Sequence, residues 1–100
     1  MEISFSSEII EWRGPAPFLF APIPQKQSDE IKSIARNVTY GWGVIPVEVT
    51  IGKTTLTTSL FPRDAVYLLP IKVAIQMAED VKLGDRIKAK ILIDLPGKSQ

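Results

Sequence analysis

The stretch Val66-Tyr67-Leu68-Leu69-Pro70-Ile71-Lys72 constrains this chain most. A compact apolar run reaches a proline, and a short helical pattern follows. Leu83-Gly84-Asp85 interrupts that pattern, and an alternating segment then runs from Arg86 to Asp94. The order predicts a strand, a helix with Pro70 in its first turn, a glycine stop and a second strand. A looser copy lies upstream: Phe18-Leu19-Phe20-Ala21-Pro22, a helical stretch, then Gly43-Val44 and a strand ending near Ile51. Each half has too few strands to bury its own apolar face. Interlocking two halves into a barrel buries both faces and hides the open edges. The expected fold is mainly β with two short helices: a small split or swapped-hairpin β-barrel of about six strands, built from two pseudo-repeated β-α-β halves.

The rest of the chain fits this frame. Residues 3–12 mix apolar and polar positions like a strand, with Ser6-Ser7 as a bulge where the inward parity changes. Phe18–Ala21 reads as a strand covered on both faces, and Ser28 as a helix cap with Asp29 and Glu30 in the first turn. Ile31, Ile34, Ala35 and Val38 then fall on one helical face. Val44–Phe61 is a hairpin turning at Gly52-Lys53, with Val49 facing Leu56, Val47 facing Thr58 and Ile45 facing Leu60. Pro46 has no donor for a ladder, so its strand is expected at an edge or bulged there. The second helix has only a narrow polar stripe of Lys72, Gln76 and Glu79-Asp80, so most of it should be buried. In the last strand Ile87, Ala89, Ile91 and Ile93 face inward. Residues 1–95 make one domain, and 96–100 a flexible C-terminal tail.

Composition narrows the chemistry. The 100 residues contain neither cysteine nor histidine, and 12 basic against 11 acidic residues leave a net charge of +1. Disulfides, thiolate metal sites, a cysteine nucleophile and histidine-based acid–base or zinc chemistry are thereby excluded. No metal or cofactor is expected, and a near-neutral balance weighs against a dedicated nucleic-acid binder. No apolar run approaches the ~20 residues that cross a bilayer, and the N-terminus lacks a signal-peptide pattern. The expected location is the cytoplasm. Gly52-Lys53-Thr54 resembles the end of a phosphate-binding loop, but the earlier glycine and the following helix are missing. It is read as a hairpin turn.

Several segments together resemble the bacterial and archaeal family named domain of unknown function 1905. They are Trp12-Arg13-Gly14-Pro15 with Phe18-Leu19-Phe20, Trp42-Gly43, Ile51-Gly52, Thr58-Ser59-Leu60-Phe61-Pro62, Leu69-Pro70-Ile71-Lys72 and Gly84-Asp85. They occur in order over essentially the whole chain. The resemblance implies a small split or swapped-hairpin barrel with helices over its ends, and no established activity or catalytic residues. The unit over 66–93 is also similar in topology to the halves of AbrB-like transcription regulators, which pair as swapped hairpins and bind DNA.

Two clusters are candidate ligand sites. Trp12 and Arg13 beside Gly14 offer an aromatic and cationic rim, unless Trp12 merely closes a barrel end. Thr58, Ser59, Arg63 and Lys72 offer hydroxyls and two cations to a phosphate or carboxylate if the hairpin end meets the second helix. Otherwise the hydroxyls satisfy backbone groups and Arg63 pairs with Asp64. Arg86, Lys88 and Lys90 form a basic stripe that suits nucleic-acid phosphates, or simply a solvated face. The expected function is a non-enzymatic module, monomeric or homodimeric, that binds a small anionic ligand or a protein partner. The alternative is an AbrB-like DNA-binding or regulatory module using Arg86, Lys88 and Lys90. A lysine-dependent enzyme with Lys72 as the activated amine is the third reading.

Overall fold

A computed structural model describes residues 1–12, 18–38 and 44–93; the side chains of Trp12 and of residues 35–38 fall outside the description. The element order is β1 (Glu2–Glu8), β2 (Ile10–Trp12), β3 (Phe18–Pro22), α1 (Gln25–Val38), β4 (Ile45–Ile51), β5 (Thr54–Arg63), β6 (Val66–Pro70), α2 (Val73–Glu79) and β7 (Arg86–Leu92). The strands form one seven-stranded sheet in the order β1-β7-β4-β5-β6-β3-β2. Every neighbouring pair is antiparallel. The sheet curls into a half-barrel, and the connectivity explains why. β1 and β2 are its two opposite edges, yet only Ile9 separates them in sequence. A single residue spans roughly 3.5 Å, so the end of one edge strand has to meet the start of the other.

This geometry adds a strand to the expected six, because residues 3–12 divide at Ile9. The expected bulge at Ser6-Ser7 is absent: β1 pairs without interruption from Glu2↔Leu92 to Glu8↔Arg86. Ile3, Phe5, Ser7 and Ile9 keep one parity and are all buried. Both expected β-α-β segments occur, as β3-α1-β4 and β6-α2-β7. Their first strands pair with each other, as do their last strands. The hairpin register is as read from sequence, with Val49↔Leu56, Val47↔Thr58 and Ile45↔Leu60. Gly52 has φ 60, as the first central residue of such a turn requires. The core follows from period-two alternation. Ile3, Ile91 and Val49 line up across three strands, and small Ala89 makes room opposite Phe5.

Local expectations for the helices are corrected. α1 starts at Gln25, ahead of Ser28, which is therefore not its cap. The Ser28 hydroxyl is instead buried between strands: it donates to Ile23 O at 2.9 Å and accepts from Tyr67 N at 3.1 Å. Pro70 does not open α2; it ends β6 opposite Phe20, and Ile71 N still bonds Leu19 O at 2.9 Å. Lys72 is the residue before the helix, without a side-chain cap. α2 is mostly exposed, with Ile75 its one buried residue and Met77 79% accessible. Its alanines and single core contact leave it lying on the barrel rather than inside it. Phe18 is likewise exposed, so β3 is covered on both faces only in part. The expected tail, 96–100, lies outside the described residues.

Candidate functional site

Two prolines sit where strand ladders end, and at one of them, Pro70, a groove opens. Counting from the Gly52-Lys53 turn, the even residues of β4 direct their backbone donors toward β7. The β4–β7 ladder begins at Glu48↔Leu92, so the missing donor of Pro46 falls just past its end. β4 is thus an interior strand, and its proline sits where no described residue requires a bond. The same logic applies on the other side of β5. The β5–β6 ladder runs from Arg63↔Val66 to Phe61↔Leu68. Its next hydrogen-bonded pair would set Ser59 against Pro70, which has no N–H to give. There the ladder ends and the strands part.

The space that opens there is a groove of about 940 Å³. Phe18 and Phe20 of β3 and Phe61 of β5 supply an aromatic flank. Thr58, Ser59 and Lys72 line it on the side of the first turn of α2. Glu11, Val73 and Gln76 also border it. The Lys72 ammonium donates to Thr57 O at 3.1 Å, which draws the side chain back over β5. Gln76 is fixed by its own bond to Ile71 O at 2.8 Å. Lys72 and Ser59 converge because Lys72 ends the extended segment after β6 just where Ser59 loses its partner.

The anticipated site residues therefore divide. Thr58, Ser59 and Lys72 share the groove. Arg63 does not line it; it sits at the far end of β5, 3.8 Å from Asp64. Trp12 lies opposite Phe18 in the backbone register, with its side chain outside the description, and Arg13 is outside the described residues. The aromatic flank was missed by sequence reading. Its signal was Phe61, a large apolar side chain on the otherwise polar parity of Thr55, Thr57 and Ser59. Arg86, Lys88 and Lys90 are exposed on the outer face of β7, where Arg86 faces Glu8 across the strand pair. Lys72 is exposed, and its ammonium is held by a backbone carbonyl. No group of potential metal ligands occurs among the described residues, and no described helix is long and apolar enough to cross a membrane.

Residues 5–91 match the family described as Domain of unknown function (DUF1905). The chain belongs to the DUF1905 family. That span takes in β2 to β6, both helices, β1 from Phe5 and β7 up to Ile91, so the groove is part of the matched DUF1905 domain. No curated protein matches the chain. The family description assigns no function, and nothing in it favours an enzyme or a DNA-binding regulator.

Proposed function

We propose that this DUF1905 domain is a non-enzymatic binding module whose groove takes a small molecule with an apolar body and a carboxylate. The observation that carries the reading is the division of the groove. Phe18, Phe20 and Phe61 offer apolar surface, whereas Ser59, Thr58 and the Lys72 ammonium supply donors at the other side. Small-ligand sites typically combine an apolar lining with a few polar groups that fix orientation. Glu11 borders the same groove, so the ligand carboxylate is directed to Lys72 and away from the β2 edge.

The test is two-dimensional NMR of labelled protein titrated with phenylacetate and, separately, with neutral phenylacetamide. Saturable shifts at Thr58, Ser59, Lys72 and Val73 that are stronger for the carboxylate support the reading. Lys72→Gln should abolish the preference while leaving weak binding of the amide. Equal response to both compounds, or none at these amides, refutes it. In the latter case a protein partner becomes the better account of the exposed aromatic flank.

A further inference from the structure

We propose that the outer face of β1, β7 and β4 carries a second, independent site, which takes the phosphate group of a small phosphomonoester. The register sets Ser4 opposite Lys90, and Lys90 opposite Thr50, in one line across three strands. One step along, Ser6 lies opposite Lys88. The next partner in the β4 ladder would be Gly52, which has no side chain of its own; the Glu79 carboxylate, held by Lys53 N and the Thr54 hydroxyl, lies over it. Ser4, Ser6, Thr50, Gly52, Lys88 and Lys90 line a depression of about 440 Å³ on this face. It shares no residue with the groove.

Two features point to an oxyanion. The hydroxyls of Ser4 and Ser6 and the ammonium groups of Lys88 and Lys90 have no hydrogen-bond or ion-pair partner among the described residues. Alternate residues on one strand face lie roughly 7 Å apart, so both ammonium groups can reach a single anion placed between them. A phosphate offers several acceptor oxygens and up to two negative charges, matching two ammonium and two hydroxyl donors. Thr50 adds a third hydroxyl, already bonded to Thr55 at 2.8 Å.

The surrounding charges set the size of the ligand. Beyond Lys90, Leu92 lies opposite Glu2 on one side and Glu48 on the other. Beyond Lys88, Arg86 lies opposite Glu8. The lysine rows are therefore bracketed by carboxylates at both ends. A single phosphate fits between them, while a nucleic-acid strand running along β7 would meet acidic groups on either side. The stripe that suits DNA in sequence is broken by its neighbours in space.

Titration with inorganic phosphate and with phenyl phosphate, against sodium chloride of matched ionic strength, tests the site. Saturable NMR shifts at Ser4, Ser6, Lys88 and Lys90 with the phosphates but not with chloride are expected. The exposed double variant Lys88→Gln/Lys90→Gln should weaken binding by about tenfold or more, and Ser4→Ala/Ser6→Ala should weaken it with the charge unchanged. Equal response to chloride, or phosphate shifts that survive the lysine variant, overturns the proposal. So does a short DNA duplex that shifts Arg86 together with these residues when phosphate does not. Amides of Thr58, Ser59 and Lys72 report the groove separately, so either proposal can fail alone.

Discussion

Ser28 holds a position that its sequence neighbours do not reveal. Ile23 N donates to Tyr67 O at 2.8 Å, but the return bond of that pair is absent. The Ser28 hydroxyl stands in its place, bridging Tyr67 N and Ile23 O. Ser28→Ala leaves a buried donor and acceptor unpaired and should cost about 1–3 kcal/mol, read from urea unfolding. Tyr67 carries a second prediction. Burial pushes its phenol above the ordinary value, so the folded state keeps a proton that the unfolded chain releases sooner. Its contribution is complete below the unfolded pKa, ~10, and is lost as pH rises through the higher folded value. The urea midpoint should therefore decline above about pH 10, and less steeply in Tyr67→Phe. Ser-Asp-Glu suggests a cap at Ser28, since those residues favour a first turn. The signal for its actual role depends on Tyr67, 39 residues away, which no local pattern contains.

The hairpin and α2 form one mechanical unit. Glu79, the last residue of the helix, accepts from Lys53 N at 3.2 Å and from the Thr54 hydroxyl at 2.5 Å. Its carboxylate lies over Gly52, so an added Cβ would run into it. Gly52→Ala thus meets both a strained positive φ and Glu79, and should destabilise by more than about 1 kcal/mol. Glu79→Ala should leave the hairpin formed but speed hydrogen exchange at the Lys53 amide, which loses its acceptor. Strand identity here was legible because turn chemistry and alternation agree over Val47–Thr58. The burial of α2 was not. Ile71, Ala74, Ile75 and Ala78 give an apolar face by pattern, yet Ile71 belongs to the strand-like extension after Pro70 and the alanines stay exposed. Pro70 fits a helix start and a ladder end equally well, and only the partner strand decides between them.

At the scale of the molecule, β5 joins the two sides of the half-barrel. Its residues 54–60 pair with β4 and 61–63 with β6. Leu60, fully enclosed at the changeover, touches the common core. Leu60→Ala should cost about 2–5 kcal/mol and shift unfolding curves followed by fluorescence and by circular dichroism together. Separate transitions would show that the sides unfold independently. The mainly β class, the hairpin and the last strand could be read from the chain, whereas the groove could not. It arises where Pro70 meets Ser59, two positions that become neighbours only after β5 and β6 pair.

A strand fixed by turns at both ends and read by a different partner along each part is also a ruler. One residue inserted between Leu56 and Phe61 would have nowhere to slide. With a side-chain period of two, it would turn either the β4-facing or the β6-facing register inside out, unless a bulge absorbed it. Two inserted residues would preserve both faces. Length variation among relatives of this domain should therefore gather in the loops, and within β5 come in even steps.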